Sequence, residues 1–322
     1  MKRREVLIGA GALAYGGLAP SLGKAASWPT KEVTMLLGQA PGGPTDFLAR
    51  TLAVEFERRF GKPFIVKNVT GAGGLIAVSQ VAAAQPDGHT MGLLGLSTFL
   101  APHMKQVEVS FDPWKDFSVI GAAASILYGI GVSAKSPFMT MQDFVAAGKT
   151  RRLTYSSNSP INSVGLFQVA ASTGADLHWV HVPSATEAVL QAAGQHIDAV
   201  IQSPFEMRPL IDAGQLRLLA SASPLRWPWY PDVPTISELG YGDGLMALAG
   251  FALPAAVDPE IRRQLEAAMF EATETEKVKT QVQNAGMVVT PMTGAEYLDA
   301  ARAVEPSLVE VLRKANMLRT KS

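Results

Sequence analysis

This sequence predicts an α/β fold with mostly parallel sheets, on three observations. A strand, a tight glycine turn and a helix follow one another over residues 33–60. The same order recurs over 64–84, and again over 153–172 with hydroxyls and amides in place of glycines. Strands alternating with helices imply parallel pairing, and such sheets bind ligands beyond the carboxyl ends of their strands.

The first unit is the clearest. Val33-Thr34-Met35-Leu36-Leu37 is an apolar run, and Leu48, Leu52, Phe56 and Phe60 recur at helical spacing. Between them lies Ala40-Pro41-Gly42-Gly43-Pro44-Thr45-Asp46. Gly42 and Gly43 leave backbone bare for a ligand, and Thr45 or Asp46 can cap the helix. Free amides at a helix start favour an anion. A plain strand-to-helix corner would look similar, but the second unit repeats the arrangement. There Phe64-Ile65-Val66-Lys67 is a strand, Gly71-Ala72-Gly73-Gly74 the turn and Leu75 to Ala84 the helix, ended by Gln85-Pro86-Asp87-Gly88.

Thr90 to Leu94 is a third strand, with the hydroxyls of Ser97 and Thr98 just past its end. Phe117 to Val132 is too long for one strand and reads as two, carrying the chain into a second domain. Thr140 starts a short helix that ends at Gly148. Leu153 to Ser156 is a strand, followed by the polar turn Ser157-Asn158-Ser159-Pro160-Ile161-Asn162-Ser163 and a helix from Val164 to Ser172. Capping would need only one of those polar residues. His178 to Val182 alternates as a strand, so His178 and His181 face opposite sides and cannot share a metal. A helix over Ala185–Ala193 and strands at Ala199–Gln202 and Leu216–Ala220 follow. Pro224 to Pro234, with Trp227, Trp229 and Tyr230, reads as an irregular surface segment. Ala249 to Leu253 returns the chain to the first domain. Asp258-Pro259-Glu260 opens a helix, and Thr293-Gly294-Ala295-Glu296 matches a capping box opening the last one.

The 322 residues, 48% of them hydrophobic, suggest about two domains. A formal net charge of 0 gives no footprint for nucleic acid. There is no cysteine, hence no disulfide, thiolate metal site or thiol nucleophile. Lys2-Arg3-Arg4, the apolar stretch from Val6 to Ala19 and the small residues Gly23, Ala25 and Ala26 form a secretory signal over 1–27, cleaved before Trp28. Adjacent Arg3 and Arg4 resemble a twin-arginine signal, and an ordinary Sec signal is the alternative. A soluble periplasmic protein is expected. No G-x-S-x-G, H-E-x-x-H, Walker or G-x-G-x-x-G pattern occurs, so neither catalytic residues nor a cofactor is expected.

Taken together, APGGPTD (40–46), KNVTGAGG (67–74), PDGHT (86–90), DPWKDFSVIG (112–121), LTYSSNS (153–159) and DVPTISELG (232–240) resemble, in order, the Bug-type solute receptors. These are the extracytoplasmic substrate-binding proteins of tripartite tricarboxylate transporters. The resemblance implies a two-lobed periplasmic-binding-protein fold of type II, each lobe a mostly parallel sheet flanked by helices. Residues 28–125 and 249–322 would form one lobe and 126–248 the other. It implies a small carboxylate held by Pro41, Gly42, Gly43, Thr45, Asp46, Gly71, Ala72, Gly73 and Gly74, with Ser97 and Thr98 nearby. Ser157, Asn158, Ser159, Ser163 and Ser184 would act from the other lobe. The implied partners are the membrane subunits of a transporter, the receptor itself being a monomer. A ligand sensor for a signalling protein and an exported α/β enzyme are the competing classes.

The chain departs from the family where Val182-Pro183-Ser184-Ala185-Thr186 replaces valine-proline-tyrosine-lysine-glycine. With ring and cation gone, a monocarboxylate is expected to bind more tightly than citrate, unless Arg208 or another base replaces the lysine in space.

Overall fold

The computed structural model describes residues 28–104, 108–314 and 316–318. The expected signal segment 1–27 lies outside them. The chain runs β1 (Val33–Leu37), α1 (Pro44–Phe60), β2 (Phe64–Asn68), α2 (Leu75–Ala82), β3 (Thr90–Leu94), α3 (Leu96–Leu100) and β4 (Phe117–Ile126). It continues through β5 (Gly129–Ser133), α4 (Met141–Gly148), β6 (Leu153–Ser157), α5 (Val164–Thr173), β7 (Leu177–His181), α6 (Ala185–Ala193), β8 (Ala199–Gln202), α7 (Pro204–Asp212) and β9 (Leu216–Ser221). It closes with β10 (Ala247–Pro254), α8 (Pro259–Glu274), α9 (Glu276–Asn284), β11 (Met287–Thr293) and α10 (Gly294–Lys314).

These strands form two sheets, ordered β11-β4-β10-β3-β1-β2 and β7-β6-β8-β5-β9. The first organises one lobe and the second the other. The sheets are mixed rather than mostly parallel. Parallel pairing is confined to β1 with β2 and β3, and to β6 with β7 and β8, where helices make the crossovers. β10 runs antiparallel to both β3 and β4, and β5 antiparallel to β8 and β9. The reason is connectivity: these are the strands by which the chain leaves one sheet and returns from the other.

Each sheet is covered on both faces, which explains its near-continuous apolar strands. One face of the first sheet packs Val33, Met35, Leu37 and Phe251 against Leu48, Leu52 and Phe56 of α1 and Leu265 and Met269 of α8. The opposite face is covered by Val78 of α2, Phe99 of α3, and Tyr297 and Leu308 of α10. Tyr297 fits because Gly250 has no side chain, and its hydroxyl donates to Leu94 O at 2.5 Å. In the second sheet Ile130, Tyr155 and Ile201 face α4 and α5, and Val200 and Leu218 face α6 and α7.

Helix ends follow local chemistry. Thr140 and Asp143 form a capping box, as do Thr293 and Glu296. Asp258 caps α8 with Pro259 behind it, and Gly61 and Gly174 close α1 and α5 in the left-handed region.

Four elements are absent from the sequence reading: α3, α7, α9 and β11. α7 carries Pro204 and Pro209, which read as breakers, and β11 contains Pro291 inside a register shift between Val289 and Met292. The 224–234 segment is irregular but is no surface strip. Trp227 is fully buried, its indole N–H donates to Tyr128 O at 3.1 Å, and its ring fills the space over Gly129. Trp227 thus joins Val200 and Leu218 in the apolar layer that α6 and α7 cover.

Leu127 and Tyr128 are the whole connection from β4 to β5. Ser223, on the way back, ties the two passages together: its Oγ accepts from Tyr128 N at 2.8 Å and donates to Leu245 O at 2.7 Å.

Candidate ligand-binding cleft

The carboxyl ends of β1, β2 and β3 are neighbours in the first sheet, and those of β7, β6 and β8 in the second. Among the described residues the lobes meet at the start of α5 and at α7. Ile161 and Val164, at the start of α5, share an apolar cluster with Phe99, Tyr297 and Leu308. On the other side Gly286 lies so close to α7 that a Cβ there would be 2.5 Å from Phe205 N.

In the first loop the helix cap is Gly43 itself, with Pro44 behind it, and neither Thr45 nor Asp46 caps. Asp46, buried in the first turn, has another task. Its Oδ2 accepts from Gly42 N at 3.0 Å and from Arg50 Nε at 3.0 Å, and its Oδ1 accepts from Arg50 Nη2 at 2.9 Å and Asn68 Nδ2 at 2.9 Å. Asn68, the last residue of β2, also donates to Gln39 O at 3.0 Å. One carboxylate thus joins both loops. Burial pushes the Asp46 carboxyl up, and the hydrogen bonds from Arg50, Gly42 and Asn68 outweigh that, so its pKa lies below the usual range. The amides of Gly43, Thr45 and Asp46 have no acceptor among the described residues, which leaves an anion-binding helix start.

The second loop is conformationally extreme. Gly71, Ala72, Gly73 and Gly74 have φ of 128, 47, 66 and 96°. Ala72 pays for its left-handed backbone with about 1 kcal/mol or more, the kind of strain found at ligand clamps. Gly74 also meets the first loop directly. A Cβ on Gly38 would lie 2.3 Å from Gly74 Cα and 2.4 Å from its O. Parallel pairing of β1 with β2, Leu37 opposite Asn68, brings the two loops out of the sheet side by side.

Ser97 and Thr98 sit not in a loop but in the short helix α3. The Thr98 hydroxyl is buried with no hydrogen-bond partner among the described residues.

In the second lobe the serines are bound to one another. Ser157 Oγ lies 2.5 Å from Ser163 Oγ, accepts from Trp179 Nε1 at 2.8 Å and reaches Ser159 O at 3.0 Å. Ser157 and Ser163 therefore shape the turn, while Ser159 Oγ accepts from Ile161 N at 3.3 Å. Asn158 stands differently: it joins Asn162 and Gln202 in a cluster of side-chain amides. Ser184 is exposed and caps α6, accepting from Glu187 N at 3.1 Å. It lines an outer groove of about 450 Å³ with Thr186, Glu187, Leu190, Gln191 and His196, which includes no other candidate residue. Arg208 is engaged elsewhere, its guanidinium 4.4 Å from the Trp229 ring centre.

Gly38, Arg50, Asn68 and Gln202 were not among the expected site residues. Asn68 and Gln202 had a signal, a polar amide closing an apolar strand at its carboxyl end. Gly38 had none, because its constraint is a contact with a loop 36 positions away.

The family description "Tripartite tricarboxylate transporter family receptor" matches residues 48–304. The chain is similar to "UPF0065 protein in gbd 5'region" of Cupriavidus necator, 29% identical over 97% of this chain and 98% of that protein. It is similar also to "Protein BugT" of Bordetella pertussis, 28% identical over 83% of each chain. Among solved structures, "R. palustris Rpa4515 with adipate" superposes with a TM-score of 0.82 at 22% identity, over 90% of this chain and 99% of that one. With two α/β lobes, and a family match over most of its length, the chain belongs to the tripartite tricarboxylate transporter receptor family.

Proposed function

We propose that this protein is an exported solute receptor that captures a small carboxylate between its lobes and delivers it to a tripartite tricarboxylate-type membrane transporter. The observation that carries this reading is the pair of glycine loops locked together at Gly38–Gly74. They offer unpaired backbone amides at a helix start beside a strained turn. Such amides suit a carboxylate and nothing with a positive charge. Adipate in a structurally similar protein, and the transport role in the family's description, support the same conclusion. One carboxylate of the ligand sits at these loops. Asn158 and Ser159 act from the second lobe, and the receptor works as a monomer without catalysis.

Gly43→Val tests the reading. Gly43 has φ −83 and ψ 173°, a conformation open to any residue, and a Cβ there meets only Ala40 O at 3.9 Å. The fold should therefore tolerate valine within about 1 kcal/mol, while the branched side chain projects over the free amides. Mass spectrometry of small molecules released from natively purified protein should find a carboxylate on the wild type. Titration with that compound should show affinity at least ~10-fold lower in the variant, about 1.4 kcal/mol. An equal affinity, or a released molecule without a carboxylate, would overturn the assignment. Gly73, with φ 66°, is a poorer test, because any side chain there adds roughly 1–2 kcal/mol of backbone strain.

A further inference from the structure

Asn158 follows β6 directly and Gln202 ends β8, and these strands are parallel neighbours, with Ser156 opposite Val200. Both amides therefore stand at the carboxyl edge of the second sheet. Gln202 Nε2 donates to Asn158 Oδ1 at 2.9 Å, and Asn162 Nδ2 donates to Asn158 Oδ1 at 3.0 Å and to Gln202 Oε1 at 3.2 Å. Gln202 is buried behind the other two, which are half-buried. These bonds fix the amides and use only part of their capacity. Both N–H groups of Asn158 Nδ2 and the Oδ1 of Asn162 remain for another molecule.

We infer that Asn158, Asn162 and Gln202 determine specificity for the far end of the ligand, selecting an uncharged carboxamide or hydroxyl over a second carboxylate. This rests on the carboxylate-receptor reading above. A carboxamide brings both a donor and an acceptor and satisfies both groups. A carboxylate brings acceptors only, leaves Asn162 Oδ1 unpaired and adds a charge. Among the described residues no basic side chain bonds to the three amides, and the turn into α6 carries Ser184 and Ala185. Arg208 lies over Trp229, and His181, at the end of β7, is exposed with its ring against Trp179. Glu206, four residues past Gln202 in the first turn of α7, accepts a hydrogen bond from Ser203 Oγ. Burial pushes its pKa up, so it contributes a neutral or negative group and never a compensating cation. Sites that hydrogen-bond one polar group reject analogues that leave their own groups unpaired.

Calorimetry on ligand-stripped, refolded protein would compare each dicarboxylate with its half-amide: succinate with succinamate, glutarate with glutaramate, adipate with adipamate. At the best-fitting chain length the half-amide should bind at least ~10-fold more tightly. Asn158→Asp keeps the acceptor that Asn162 and Gln202 use and replaces the free N–H groups with oxygen. It should abolish that preference and raise affinity for the ω-amino acid of the same length, with the unfolding midpoint measured alongside. If a dicarboxylate binds as tightly as its half-amide, or Asn158→Asp leaves the preference intact, the inference fails and the carboxylate receptor stands. If neither series binds, the receptor reading fails and the inference with it.

Discussion

Gly38→Ala is expected to destabilise the protein by about 1–3 kcal/mol and to lower ligand affinity by roughly a hundredfold. The added methyl would lie 2.3 Å from Gly74 Cα and 2.4 Å from Gly74 O. Both are backbone atoms, so no rotamer change relieves the clash, and the two glycine loops must part. The β1–β2 pairing that delivers them runs only to Leu37 and Asn68, so the separation falls on the loops themselves. Amides that converge on one carboxylate then no longer do so. Denaturant unfolding and calorimetry on the same preparations measure both effects. A variant of wild-type stability and affinity would mean that the contact between loops is incidental.

Asp46→Asn should cost about 1–3 kcal/mol at pH 7, with a loss of affinity near ~10-fold. An asparagine cannot accept from Gly42 N, Arg50 and Asn68 together: its NH₂ must face one donor where the carboxylate offered oxygen. The sign of the pH dependence follows from the lowered pKa of Asp46. A carboxyl whose folded pKa lies below its unfolded value contributes stability in full above about pH 4, and loses it as pH falls through the folded value. Wild type should therefore lose stability on acidification more steeply than Asp46→Asn, and the two curves should converge at low pH. Parallel curves across pH 3–7 would place the stabilisation elsewhere.

Much of this architecture was legible in the sequence because its causes are local. The spacing of Leu48, Leu52 and Phe56, the helix start at Thr140 and the capping box at 293 all act within a few residues. What was not legible depends on distant partners. Prolines conceal α7, yet Pro204 stands at the helix start where its missing N–H costs nothing. Trp227 reads as a loop aromatic until Gly129 opens a socket for it. The candidate site divides in the same way. The glycine loops announce themselves, whereas Asn68 beside Asp46, Trp179 beside Ser157 and Gln202 beside Asn158 emerge only when their strands are paired. Several side chains expected to meet a ligand turn out to hold other side chains in place.

The position of β10 governs how the molecule can assemble. All five strands of the second sheet lie in one uninterrupted stretch, 129–221, whereas β10 must enter the first sheet between β3 and β4 from the far end of the chain. Closing that gap of about 150 residues carries an entropic cost and slows folding. During refolding, amide protection should appear in 129–221 before it appears in β1, β3 and β10, and simultaneous protection would refute this order. On that order the glycine loops belong to the sheet that closes last. The competence to hold a ligand is then the final property the chain acquires.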